Sequence, residues 1–143
     1  MVAVEVDVEI QRPVPDVFAF VEEGANMPAW DSDLLKATMT SDGPIGVGST
    51  FHLDIKPFMG ETEGTGQIVA YEANKRIELQ FVMGKLKPHV FHLFEAAGGG
   101  TTFTRRVVME LSGFMRLMSP LMRPMLRKKN VQYLATLKQL VET

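Results

Sequence analysis

Two side chains qualify for chemistry because each interrupts an apolar alternation. In Thr102-Phe103-Thr104-Arg105-Arg106-Val107-Val108-Met109, residues Phe103, Val107, Met109 and then Leu111 share one strand face with Arg105. A guanidinium pointing inward from that face needs a carboxylate partner or a strand end where it can snorkel to water. Failing those, it needs the enolate, carboxylate or phosphate of a ligand. In His89-Val90-Phe91-His92-Leu93-Phe94, one histidine falls on each face. An inward histidine is either a hydrogen-bonded core residue or an acid/base group working near neutral pH.

Other constellations point away from chemistry. His89 and His92, three apart on a strand, project to opposite faces and cannot share a metal ion, and His52 is the one histidine left. With no cysteine, thiolate nucleophiles, disulfides and cysteine-based metal sites are excluded. Neither a metal nor a cofactor is expected. Glu61 and Glu63 share a strand face but lie among Gly60, Gly64 and Gly66, which suits a solvated edge or hairpin, and Asp54 should face outward. Gly46-Val47-Gly48-Ser49-Thr50-Phe51 lacks a third glycine and runs into a strand, so it is no phosphate loop. No Gly-x-Ser-x-Gly elbow supports a hydrolase triad.

The elements that must hold Arg105 and His92 follow from periodicity. Val2, Val4, Val6, Val8 and Ile10 alternate with acids, the mark of a strand with one buried face. Pro15 suits a helix start, so a short helix is expected over Asp16–Glu23, stopped by Gly24. A second short helix should follow Asn26 as its cap. Residues 34–111 read as about six strands joined by turn clusters such as Ser41-Asp42-Gly43-Pro44 and Gly98-Gly99-Gly100. The last 30 residues switch to helical spacing, with Met115, Met118, Met122 and Met125 three, four and three apart on one stripe. Pro120 can open a turn, and Pro124 should bend the helix near 120–124.

One α+β domain over residues 1–143 is therefore expected: a curved antiparallel sheet of about seven strands around a long C-terminal helix. A curved sheet gripping a helix leaves a cavity unless large side chains fill it. Ten methionines in 143 residues are then either fillers of irregular core gaps or an adaptable cavity wall.

Element order and local motifs resemble the helix-grip fold of the START-like (SRPBCC) superfamily, and within it bacterial polyketide cyclase/dehydrase-like members. The matching stretches are Arg12-Pro13-Val14-Pro15-Asp16-Val17-Phe18, Asn26-Met27-Pro28-Ala29-Trp30-Asp31, Gly46-Val47-Gly48-Ser49-Thr50-Phe51, Tyr71-Glu72, Phe94-Glu95, Gly99-Gly100-Thr101 and Met118-Ser119-Pro120-Leu121. The resemblance implies an apolar cavity under the long helix and favours His92 on its inner side. The ligand-binding set would be Trp30, Tyr71, Phe81, His92, Phe94, Arg105, Met115, Met118, Met122 and Met125. Trp30 and Tyr71 would line the mouth, with core packing the alternative for Trp30.

Three functions follow as expectations. The first is binding or transport of a small hydrophobic ligand, such as a lipid, an acyl group or an aromatic polyketide-like molecule. The second is a cyclase/dehydratase with His92 as base and Arg105 steadying an enolate oxygen. The third is an interaction module or homodimer using Phe91 and Leu93 on the outer sheet face, so that the chain is a monomer or a homodimer. A net charge of −2 argues against nucleic acid. Without a basic leader or an apolar run of about 20 residues, a cytoplasmic location is expected. Residues 1–33 carry eight acids and one base, whereas residues 111–141 carry six bases and no acid. Either these ends pack together, or the basic helix meets a partner, such as a transient contact with an anionic membrane surface.

Overall fold

Alternation builds the sheet. In the computed structural model, which describes Met1 to Thr143, β1 (Val2–Ile10) buries Val2, Val4, Val6 and Ile10 and pairs antiparallel with β7 (Gly100–Met109). Between them in sequence lie β2 (Leu34–Met39), β3 (Thr50–Phe58), β4 (Glu61–Glu72), β5 (Arg76–Val82) and β6 (His89–Ala97). The order across the sheet is β1-β7-β6-β5-β4-β3-β2, with every pair antiparallel. The inner face carries Phe51, Leu53 and Ile55 of β3, Ile77, Leu79 and Phe81 of β5, Val90, His92 and Phe94 of β6, and Phe103, Arg105, Val107 and Met109 of β7, all buried. This is the expected helix-grip α+β arrangement, with seven strands.

The connection from β1 to β2 differs in detail from its expectation. Helix α1 spans Val14–Glu22 and begins two residues before Asp16, because Pro13 holds the extended cap conformation and Pro15 falls within the first turn, where its missing N–H costs nothing. The second short helix is a 3₁₀ turn, Gly24–Ala29, capped by Glu23 and not by Asn26. Asn26 lies inside it, and its Nδ2 donates to the Phe20 carbonyl (3.1 Å), closing the end of α1. Gly24 is required by proximity: a Cβ there would stand 2.6 Å from the Phe51 ring.

The C-terminal segment divides at Met118 into α2 (Phe114–Leu117) and α3 (Ser119–Glu142). The discontinuity thus precedes the expected bend. Pro120 occupies the first turn of α3, while Pro124 is carried inside a helix that continues through it. Helix α3 runs most closely along β1 and buries Met122, Asn130, Tyr133, Leu134 and Leu137. The oppositely charged ends of the chain meet here. Arg127 donates to the Glu5 carbonyl (3.1 Å), Lys138 to the Glu9 carbonyl (2.6 Å), and Glu142 accepts the Gln11 N–H (2.7 Å).

Candidate functional site

Because α3 follows the β1 edge, its first half stands away from the middle of the sheet. The space left is an open pocket of about 330 Å³. Its apolar walls come from Ile55 and Phe58 of β3, Phe81 of β5, Val90 of β6, Val107 and Met109 of β7, and Met122, Met125 and Leu126 of α3, with Met83 and Leu86 from the β5–β6 turn. These strand ends lie together because an antiparallel meander brings alternate hairpin tips to one end of the sheet.

One wall is polar, and its groups are bound to one another. Arg105 is 4% exposed. Its Nη2 donates to Asp31 Oδ2 (3.1 Å) and its Nη1 to Asn130 Oδ1 (3.0 Å). The guanidinium carbon lies 5.1 Å from the Trp30 ring centre and 5.7 Å from that of Tyr133, a cation held between two aromatic faces. Asn130 donates in turn to the Leu126 carbonyl (2.8 Å), and Asp31 Oδ1 accepts the Asp33 N–H (3.1 Å). The Asp33 carboxylate accepts from Lys129 Nζ (3.2 Å) and from the Tyr133 hydroxyl. Burial, reinforced by the Asp31 and Asp33 charges, raises the Tyr133 pKa, so the phenol stays a donor. Of the partners foreseen for Arg105, the structure provides the carboxylate.

His92 has a different environment. It is fully buried against Trp30 (5.6 Å between ring centres) and Phe103 (5.4 Å), and neither ring nitrogen has a hydrogen-bond partner. Desolvation, then the Arg105 charge, holds its pKa well below the usual imidazole value, which keeps the ring neutral. It borders a residual void of about 20 Å³ and does not line the open pocket. It is therefore neither a hydrogen-bonded core histidine nor a group that meets the pocket.

The other residues singled out from sequence divide between two ends of the core. Trp30, Phe94 and Tyr71 occupy the closed end. Phe94 packs on Phe18 (4.9 Å) and Phe103 (5.2 Å), and Trp30 stands edge-on to Phe103 (6.2 Å). Tyr71 donates to Glu22 Oε1 (2.7 Å), and burial together with that carboxylate pushes its pKa up to about 12. Phe81 borders both spaces. Of the methionine stripe, Met122 and Met125 line the pocket, whereas Met115 and Met118 do not. The spacing presumed one continuous helix, and the interruption at Met118 puts Met115 on a separate short one.

Asp31, Asp33, Lys129 and Asn130 complete the polar wall without having been picked out. Asn130 did carry a signal: Met122, Leu126, Asn130, Tyr133 and Leu137 are spaced four, four, three and four apart, so an amide sits in an apolar stripe. On the outer face, His52 is not isolated. The β3–β4 register sets Asp54 opposite Glu63, and His52 Nε2 lies 3.3 Å from a carboxylate oxygen of each. The three donor atoms converge within 4.8 Å, an exposed set that could hold a cation weakly. His89 instead faces Glu78 (3.1 Å) and stacks on Phe91, which also lies under Arg106. No helix is long and apolar enough to cross a membrane.

A family model described as "Polyketide cyclase / dehydrase and lipid transport" matches residues 1–142. No curated protein matches. Among solved structures, TTHA0849 from Thermus thermophilus superposes with a TM-score of 0.76 at 14% identity, covering 97% of this chain and 96% of that one. The crystal structure of Ara h 8.0201 gives 0.70 at 16%, covering 97% and 96%. The Aha1 dimer from Colwellia psychrerythraea, solved in solution, gives 0.68 at 15%, covering 99% and 97%. At these identities the likeness to solved structures carries the fold alone.

Proposed function

The chain belongs to the polyketide cyclase/dehydrase and lipid transport family, and we propose that it binds and carries a small, largely apolar molecule beneath the first half of α3. The observation that supports this best is the open pocket of about 330 Å³, apolar on most sides and polar on one. Burying roughly 200 Å² of ligand at about 25 cal/mol per Å² would contribute about 5 kcal/mol before ordering costs. Methionines at 83, 109, 122 and 125 let the walls adapt to shape. A cyclase that used His92 as its base would need that ring in the pocket, and its burial elsewhere argues for carriage over catalysis. Nile red, a neutral dye, should brighten with the protein and be displaced by apolar competitors. Absence of both effects, with no small molecule retained in native mass spectra, would overturn the reading.

Loading at a bilayer fits the pocket's surroundings. Phe114, Leu117 and Leu121 are 73, 78 and 73% exposed. The same two helices, α2 and the start of α3, carry the cations Arg116, Arg123 and Lys128. Exposed apolar side chains close in sequence to cations suit an anionic lipid surface. Leu117→Asp should abolish co-sedimentation with anionic vesicles while leaving the melting temperature unchanged. Equal sedimentation with purely zwitterionic vesicles would reject the electrostatic part.

A further inference from the structure

The polar wall of the pocket is electrically balanced. Asp31 and Asp33 contribute two negative charges, and Arg105 and Lys129 two positive ones. Each cation is already matched to a carboxylate: Arg105 to Asp31 at 3.1 Å and Lys129 to Asp33 at 3.2 Å. Each Nη of Arg105 makes one hydrogen bond, to Asn130 and to Asp31, so its charge is matched by a carboxylate, and its Nε is buried without a partner. An anionic head brought to this wall would meet two carboxylates and no spare cation. An ammonium head would meet two committed carboxylates and two cations. Either ion would lose its hydration without gaining an unmatched counter-charge.

Uncommitted hydrogen-bonding capacity remains. The Asn130 amide uses one N–H on Leu126 and keeps the other. The Tyr133 oxygen donates to Asp33 and accepts from nothing. A neutral group that accepts from one and donates to the other satisfies both without disturbing the ion pairs.

Resting on the reading that this pocket holds the ligand, we propose that the ligand's head is uncharged: a hydroxyl or carbonyl on an apolar body, and not a carboxylate, phosphate or amine. The one unpaired cation in the lining, Lys56, is exposed at the rim, with its backbone N–H on the Asp33 carbonyl (2.9 Å). An anion drawn to Lys56 would lie at the mouth, head outward, away from the wall.

The test uses four probes of equal chain length, 1-decanol, 2-decanone, decanoate and decylamine, titrated at pH 7.5 into protein carrying ¹³C-methyl methionine. The alcohol and the ketone should shift the Met109, Met122 and Met125 methyls with Kd values at least about tenfold below those of the two ions. In Asp33→Asn, a substitution at a half-exposed residue, Lys129 loses its carboxylate, and the decanoate-to-decanol affinity ratio should rise at least about fivefold. Decanoate or decylamine binding as tightly as decanol in the native protein would overturn the proposal, as would an unchanged ratio in Asp33→Asn. If none of the four probes moves those methyls, the pocket is no ligand site and the underlying reading fails with it.

Discussion

The two ends of the space between sheet and helix are built from the same strands, yet they have opposite characters. At the closed end, α1 and the 3₁₀ turn lay Phe18, Val21, Met27 and Trp30 onto Phe94, Phe103 and His92, and only about 20 Å³ is left empty. At the open end nothing equivalent descends onto the sheet, and α3 presents flexible methionines to about 330 Å³. A curved sheet imposes a gap, and what decides its fate is whether an element crosses it. Arg105, stacked on Trp30 on one side and lining the pocket on the other, stands on the boundary.

If that division is right, the boundary should be the most sensitive point. Arg105→Ala strips Asp31 of its cation in a buried site and should cost about 3–5 kcal/mol of unfolding free energy in urea. Arg105→Met combined with Asp31→Leu should recover most of that loss. If it recovers none, the pair does more than neutralise itself.

The closed end should show itself in pH dependence. His92 is held neutral in the fold with its pKa lowered well below 6.5. The unfolded chain therefore binds a proton that the native state refuses once the pH falls below about 6.5, and stability declines on acidification. The slope attributable to this group should be about 1 kcal/mol per pH unit below 6 and absent in His92→Leu. Parallel acid profiles for the two proteins would mean that the ring protonates in place.

Smallest of all should be the effects at the open end. Met122→Ala, at a buried position, should cost about 1–2 kcal/mol, and Met125→Ala, 40% exposed, under about 0.5 kcal/mol. Both should alter Nile red binding more than stability. A Met125→Ala variant as unstable as a closed-end truncation would erase the distinction between the ends.

Much of the fold was legible because alternation is local. Phe103, Arg105, Val107 and Met109 had to share a face whatever the rest of the chain did, and the face proved to be the inner one. The partner of Arg105 was not legible. Asp31 lies 74 residues away, just after a 3₁₀ turn that has no sequence period, and only the folded path brings it within 3.1 Å. The methionine stripe misled for a related reason. Spacing specifies a face only within one helix axis, and the axis changes at Met118. Alternation sets His92 on the inner face, but facing inward is not the same as facing the pocket, since a curved sheet has more than one interior.

The bonds from α3 to β1 bear on how copies of this molecule can associate. β1 is one of two outer strands, and the outward carbonyls of Glu5 and Glu9 are taken up by Arg127 and Lys138. A strand from another chain would have to displace both cations before it could dock there. β2, at the opposite margin, has no such cover, but it is short and its register slips between Leu34 and Lys36. Growth of the sheet from molecule to molecule is thereby obstructed on both flanks, by side-chain plugs on one and by irregularity on the other. Arg127 and Lys138, one from each half of α3, thus guard that edge against polymerisation, whatever the pocket carries.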